Sequence, residues 1–116
     1  MPTSERFDAF EVVIGPLPYS DRLAEKRRPA LVISNRTLGQ FGVVWLAMIT
    51  SADNPPWSCD VTIDDLAGAG LPAPSVVRPA KIACIEPARV LRRAGRVDAA
   101  TARKVVRSLS DFLGSP

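Results

Sequence analysis

The stretch Arg27–Ser34 reads RRPALVIS and sets the interpretation of the rest of the chain. Two arginines leave a polar segment, Pro29 fixes the backbone directly after them, and the apolar run that follows predicts a buried strand over Ala30–Ser34. Because arginine is permanently cationic and presents a planar fork of donors, this pair suits an oxyanion such as phosphate. A solvated strand end, or an ion pair with Asp21 or Glu25, explains the same residues, and both interpretations stay open at this point.

Further apolar segments predict the other strands: Phe10–Ile14, Phe41–Ile49, Cys59–Ile63, Ser75–Val77 and Lys81–Ile85. The second of these segments is apolar on both faces, as in a central strand, and the hydroxyls of Thr50 and Ser51 follow it. The prolines of Gly15–Pro18 oppose regular pairing, so we expect them to close the first strand. Pro79 is expected to mark a bulge or an edge, which makes Ser75–Ile85 either one long strand or two short ones.

The C-terminal segment predicts the one convincing helix. Asp98 suits the N-cap, Ala99–Leu113 contains no glycine or proline, and Gly114 stands where a C-terminal cap belongs. Four apolar residues recur at helical spacing on one face: Ala102, Val105, Leu109 and Phe112. Short strands followed by one helix predict a mainly β fold, a single domain over residues 1–116 in which the helix over 98–113 closes a small twisted barrel.

Composition limits the class of protein. The chain is 47% hydrophobic and 23% charged, which is typical of an ordinary globular domain. Its longest apolar run, residues 42–49, is too short to cross a membrane, and its first residues lack the layout of a secretory signal. We therefore expect a cytoplasmic protein with no membrane partner. A net charge of +3 and a pI near 9.3 favour a polyanionic partner.

The sequence contains no histidine. The commonest general base, the commonest metal ligand and every Ser-His or Cys-His nucleophile are therefore excluded. Cys59 and Cys84 are too few and too far apart for a four-ligand zinc site, and their apolar surroundings predict small core residues. Any catalysis must use arginine, lysine, carboxylates, hydroxyls or backbone amides.

Several phrases together resemble the MazF/PemK-like toxins of toxin–antitoxin systems. They are KRRPALVIS at 26–34, MITS at 48–51, GL at 70–71 and SVVRPAKI at 75–82. Their order and spacing match the family from about Phe10 to Leu113. The resemblance implies an SH3-like barrel with a terminal helix, and a homodimer that cuts single-stranded RNA without a metal or other cofactor. It also implies a cognate antitoxin with an acidic, partly disordered segment.

The resemblance also assigns roles to residues. It places the catalytic arginine of the family at Arg28 and the catalytic threonine at Thr50. Both side chains suit the negative charge that develops when the RNA 2′-hydroxyl attacks the phosphate, with a 2′,3′-cyclic phosphate and a 5′-hydroxyl as products. The general base stays open, because the high pKa of arginine makes it a poor base. Further candidate RNA contacts are Arg27, Ser51, Arg78 and Lys81, with Tyr19 and Trp57 as stacking aromatics.

Other interpretations remain at this stage. Trp57 also fits a loop aromatic folded over the barrel. The whole chain also fits a non-catalytic toxin, like the related CcdB-like proteins that inhibit gyrase, or an inactive homologue that binds RNA without cutting it. Arg28 discriminates between these hypotheses, because a pure inhibitor of a protein target has no need of it.

Overall fold

The computed structural model describes residues 7–17 and 27–116. In this part of the chain the backbone forms one six-stranded antiparallel sheet: β1 Glu11–Pro16, β2 Arg27–Val32, β3 Val44–Ser51, β4 Val61–Thr62, β5 Ser75–Ile85 and β6 Arg92–Arg96. The strand order is β4-β5-β3-β2-β1-β6, so β3 and β2 lie in the middle. The sheet curls into a half-barrel, and helix α2, Ala99–Phe112, packs against β4 and β5. The prediction of a mainly β fold with a terminal helix is confirmed.

Side chains of the central strands are buried on both faces of the sheet, because successive residues of a strand point in opposite directions. One core lies between the sheet and the helices and includes Val12, Leu31, Ala47, Ile49, Val61, Val77 and Val105. The other lies on the opposite face and includes Val13, Ala30, Val32, Leu46 and Ile85. Two buried faces hold β2 and β3 rigid, and these are the strands that carry the arginines and hydroxyls singled out above.

Helix α2 begins as predicted. The carboxylate of Asp98 accepts a 2.8 Å hydrogen bond from the Thr101 N–H, which caps the helix and holds the pKa of Asp98 below its ordinary value. Val105 is fully buried, but Phe112 is 51% exposed, so the predicted apolar face is wrong at its last position. The helix ends at Phe112 and its C-cap is Leu113 in extended conformation, so the cap predicted at Gly114 is wrong as well.

Two predicted strand boundaries are wrong near the arginines. β2 begins at Arg27, three residues before its predicted start, because Arg27 and Arg28 pair with Pro16 and Gly15 of β1. β1 correspondingly runs to Pro16 and does not close at Gly15. Proline is tolerated there because the ladder between β1 and β6 ends at Ile14, which leaves the end of β1 with one neighbouring strand. The arginines therefore belong to the sheet and not to a loop.

The remaining corrections concern the other strands. Arg36–Phe41 forms a 3₁₀ helix capped by Asn35, so β3 begins at Val44 and not at Phe41. β5 is a single strand. Ala47 pairs with Ile82 whereas the next residue of β3, Met48, pairs with Arg78, and this shift of register confirms the predicted bulge near Pro79. β4 has two residues instead of five. β6 was not predicted. Cys84 is exposed and Cys59 is half-buried, so the prediction that both are core residues is wrong.

A short helix, α1 Leu66–Ala69, lies between β4 and β5. It ends at Gly70, which has a left-handed backbone with φ of 73°. A Cβ at Gly70 would lie 2.0 Å from the carbonyl oxygen of Ala94 in β6, so only glycine fits this contact. The close contact fixes where the following segment, residues 71–75, crosses the end of the sheet. Among the described residues, no helix is long and apolar enough to span a membrane.

Candidate active site

An open cleft of about 360 Å³ lies where β2 begins and β3 ends. Its walls come from both strands, from the turn after β3 and from the segment before β5. The lining includes Arg27, Arg28, Thr50, Ser51, Asn54 and residues 71–75. The structure therefore brings four of the predicted site residues, two arginines and two hydroxyl residues, into one cleft.

Sheet register explains why the arginines meet the hydroxyls. Ala30 of β2 lies opposite Met48 of β3. Arg28 and Thr50 each lie two residues beyond this pair, toward the same end of the two antiparallel strands. Thr50 in turn lies opposite Val76 of β5. Alternate residues of a strand point to the same face, so Arg28 is on the face of Ala30 and Thr50 is on the face of Met48. Both residues line the same cleft.

Thr50 is the more enclosed of the two. Its residue is 8% exposed, and its Oγ1 accepts a 2.6 Å hydrogen bond from the side-chain amide of Asn54. A hydroxyl that accepts one hydrogen bond still has its own proton to donate. Asn54 is held by its backbone N–H, which donates to the carbonyl of Ser51 at 3.1 Å, and the Ser51 hydroxyl accepts from the Asp53 N–H. The turn after β3 thus orients the Thr50 hydroxyl.

Arg28 is half-buried and Arg27 is exposed, so the two arginines differ in environment although they are adjacent. Arg28 is paired with Gly15 across the ladder with β1. Because Pro29 follows directly and its φ is fixed, the backbone at Arg28 is restricted to an extended conformation. The guanidinium of Arg28 is therefore displayed from a rigid, extended position at the cleft.

A second cluster joins β5 to the loop that leads from the cleft to β4. Arg78 is buried, and its Nε and Nη2 donate to the two carboxylate oxygens of Asp60 at 2.8 and 2.9 Å. Its guanidinium lies 4.4 Å from the centre of the Trp57 ring, and its Nη2 also donates to the Pro55 carbonyl at 3.1 Å. The Arg78 guanidinium, together with the Trp57 N–H, holds the pKa of Asp60 below its ordinary value.

The positions of the remaining predicted residues follow from this cluster. Lys81 places its Nζ 6.0 Å from the Trp57 ring centre. Neither Trp57, Arg78 nor Lys81 is among the described residues that line the cleft. The sequence predicts Arg78 as an RNA contact, whereas its Nε and Nη2 are directed to protein atoms. Tyr19 lies outside the described residues.

Sequence reasoning missed Asn54, Asp60 and the segment 72–74. The sequence around Asn54 did contain a signal. Ser51 precedes Asp53 by two residues and Asn54 is followed by Pro55, a pattern that is typical of a turn stabilised by a serine hydroxyl. Asp60 and residues 72–74 carried none, since their positions depend on pairing between β5 and its neighbours. In residues 7–17 and 27–116, no three His, Cys, Asp or Glu side chains are grouped so that they could hold a metal ion.

The sequence matches a family model over residues 8–113, and this model describes the PemK-like, MazF-like toxin of type II toxin–antitoxin systems. The chain belongs to this family. The match covers nearly the whole chain, and the resemblance seen in the phrases around Arg28, Thr50 and Arg78 is confirmed. A search of curated proteins finds no significant match for this toxin.

Solved structures with the fold of the toxin include MazF of Deinococcus radiodurans, which is 22% identical with a TM-score of 0.73 over 96% of this chain and 99% of that one. An endoribonuclease from a mycobacterial species is 18% identical, with a TM-score of 0.74 over 99% and 98% of the two chains. A mycobacterial endoribonuclease in complex with its cognate antitoxin is 19% identical, with a TM-score of 0.72 over 96% of both chains. These likenesses show that the toxin shares their fold.

Proposed function

We propose that the toxin is an endoribonuclease that cleaves single-stranded RNA, with Arg28 and Thr50 as its catalytic residues. The observation that carries the proposal is the cleft in which both side chains lie, on a chain that belongs to a toxin family. Two neighbours with this fold are named endoribonucleases, which supports the same activity. The cleft is open, so a flexible single strand can enter it from the side.

The reaction that fits this cleft uses the nucleophile of the substrate. The RNA 2′-oxygen forms a bond to phosphorus, the bond from phosphorus to the 5′-oxygen breaks, and a 2′,3′-cyclic phosphate and a 5′-hydroxyl result. The 2′-hydroxyl loses one proton and the 5′-oxygen gains one, so this step consumes no water and needs no metal or other cofactor. The protein has to align the attacking oxygen and stabilise the charge on the phosphorane.

Each catalytic side chain has a defined part in this reaction. Arg28 donates hydrogen bonds to the non-bridging phosphate oxygens, since its guanidinium is always charged and forks toward an oxyanion. Thr50 donates a hydrogen bond from its hydroxyl to the same phosphate group, while its oxygen accepts the hydrogen bond from Asn54. Arg27 and Ser51, which line the same cleft, contact the neighbouring phosphate, and Lys81 contacts one farther along the strand.

The partners follow from the family and from the neighbours. The toxin binds a cognate antitoxin, and a neighbour with the same fold in complex with its antitoxin supports this partner. An acidic, partly disordered segment of the antitoxin would bind the basic toxin and compete with RNA. Edge strands and exposed apolar side chains of the half-barrel favour a symmetric homodimer. We place the reaction in the cytoplasm, where transcripts are available.

The test is cleavage of single-stranded RNA by purified protein in the presence of EDTA. Wild-type toxin should cut, and Arg28→Ala or Thr50→Ala should each lower the rate by about 10²–10³, the usual effect of losing a donor to an oxyanion. Arg92→Ala is the matched control, because Arg92 is an exposed arginine of β6 outside the cleft. RNA left intact by wild-type protein, with growth inhibition that survives Arg28→Ala, would favour a non-catalytic inhibitor of a protein target. Salt-dependent RNA binding without cutting would identify an inactive homologue.

A further inference from the structure

We infer that the indole of Trp57 is the stacking platform for one unpaired base of the RNA, and that Asp60 and Arg78 are its positioning residues. The inference rests on the proposed function, because it names where the substrate is held beyond the cleft. It changes the role of Arg78 from a direct RNA contact to a residue that acts through Trp57.

The indole contacts Arg78 and is still partly open to solvent. The guanidinium of Arg78 lies 4.4 Å from the ring centre, which is stacking distance for a cation on an aromatic face. Trp57 is nevertheless 44% exposed, so part of the indole is accessible to a ligand. A large flat apolar surface supported from behind is the form in which proteins hold unpaired bases.

The support behind the ring is rigid. Asp60 and Arg78 form a two-point ion pair whose side chains are 9% and 8% exposed. The turn also closes on itself, because the Trp57 N–H donates to the Asp60 carboxylate at 2.9 Å and the Asp60 N–H donates to the Trp57 carbonyl at 3.0 Å. Two hydrogen bonds between Trp57 and Asp60 therefore hold the backbone turn that carries the indole.

The platform lies beside the cleft. Val76 of β5 is directly opposite Thr50. Arg78 is two residues farther along β5, so it lies on the same face as Val76 and about 7 Å from it. The turn after β3, which carries Asn54 at the cleft, continues directly to Trp57. A strand of RNA that leaves the phosphate at Thr50 along this face therefore meets the indole.

Charge at the cluster favours a base over an acidic peptide as the occupant. The positive charge of Arg78 is already neutralised by Asp60, so the cluster offers a flat surface with one excess cation, Lys81, beside it. Lys81, with its Nζ 6.0 Å from the ring centre, is positioned for the phosphate that accompanies a stacked base. Stacking on an indole tolerates any base, so the platform adds affinity with little sequence preference.

The experiment uses 2′-O-methyl RNA, which binds but cannot be cut because its 2′-oxygen carries no proton. Trp45→Phe leaves Trp57 as the only tryptophan, and binding should quench its fluorescence. One abasic nucleotide is then moved along a dye-labelled oligonucleotide, whose binding is measured by anisotropy so that variants without Trp57 can be compared. At one position it should weaken binding about 5- to 150-fold, the range for losing one stacked base, and this loss should disappear in Trp57→Ala. Trp57→Phe, which keeps an aromatic ring, should retain part of the abasic effect.

Asp60→Asn tests the positioning role, since it keeps the indole but removes the ion pair. It should weaken binding of the intact oligonucleotide and raise KM, while kcat at saturation stays near the wild-type value. Melting curves of each variant confirm that it is folded at the assay temperature. Arg103→Ala, at an exposed arginine of α2, is the control for loss of one cation.

Absence of quenching, or an abasic effect that is the same in wild type and Trp57→Ala, would overturn the inference. RNA that is cut without quenching would reject the platform and keep the proposed function. Quenching without any cleavage of unmodified RNA would keep the platform and reject the proposed function. Quenching by an acidic peptide but not by RNA would assign the surface to a protein partner instead.

Discussion

The side-chain amide of Asn54 donates a 2.6 Å hydrogen bond to Oγ1 of Thr50, and both residues line the cleft that contains Arg28. This bond uses the acceptor side of the hydroxyl and leaves its proton for a ligand. Thr50 is nearly buried at the end of a central strand, so the donor is fixed before substrate arrives. Such preorganisation is what makes a hydrogen-bond donor effective toward charge that develops in a transition state.

Asn54→Ala should therefore lower kcat without weakening RNA binding. The hydroxyl of Thr50 would rotate freely, and loss of such a supporting contact typically costs about 10- to 100-fold. Steady-state kinetics on a short RNA would separate kcat from KM. Asn35→Ala is the control, because Asn35 caps the 3₁₀ helix and lies outside the cleft. A rise in KM with kcat unchanged would mean that Asn54 contacts RNA and does not orient Thr50.

The buried pair of Asp60 and Arg78 should stabilise the toxin in a pH-dependent way. Asp60→Asn leaves a buried guanidinium without its partner, which costs about 3–5 kcal/mol of unfolding free energy. Asp8→Asn breaks the exposed pair with Arg36, whose side chains are 45% and 56% exposed, and should change stability little. Urea unfolding measures both variants. Equal losses would show that burial does not determine the strength of the pair.

The sign of the pH effect follows from the lowered pKa of Asp60. A carboxylate whose folded pKa lies below its unfolded value, about 3.9, contributes its full stabilisation above the unfolded value. That contribution decreases as the pH falls from the unfolded pKa through the folded pKa. Wild-type toxin should thus lose more stability than Asp60→Asn when unfolding is compared between pH 7 and pH 3. Parallel pH profiles would contradict the assignment.

Gly70→Ala should disturb the cleft from a distance. A Cβ at this position clashes with the carbonyl of Ala94, so the segment 71–75 that lines the cleft has to move. Gly42→Ala is a matched control, because Gly42 has φ of 77° but a Cβ there would have no neighbour within 4 Å. The free energy of unfolding of Gly42→Ala should fall only by about 1–2 kcal/mol, the cost of a left-handed backbone at alanine, and its activity should be unchanged. Gly70→Ala should lose more stability and also activity.

Local pattern predicted the parts of the site that lie on central strands. The apolar runs after Pro29 and before Thr50 are buried on both faces, so their strands were visible in the sequence and the hydroxyls were placed correctly at the end of β3. The arginines were assigned to a loop because they are not apolar and therefore give no strand signal, although they pair with Gly15 and Pro16 of β1. Tertiary pairing extended the strand beyond what periodicity indicates.

Other features could not be predicted because their cause is not local. β6 reads RRAGR, with no alternation of apolar and polar residues, and it exists because β1 offers a free edge. Asp60 and Arg78 are 18 residues apart and meet only when β4 pairs with β5. The exposure of Cys84 depends on how far α2 covers the sheet, which the alternation of residues in β5 does not reveal.

The chemical form of the cleavage products shows whether the RNA 2′-hydroxyl is the nucleophile. Single-stranded RNA incubated with the toxin in EDTA should give fragments that end in a 2′,3′-cyclic phosphate and begin with a 5′-hydroxyl, as measured by mass spectrometry. A single 2′-deoxynucleotide on the 5′ side of the cut should abolish cleavage there, and Arg28→Ala should slow it everywhere. Fragments with a 5′-phosphate and a free 3′-hydroxyl, or normal cleavage by Arg28→Ala, would contradict the account.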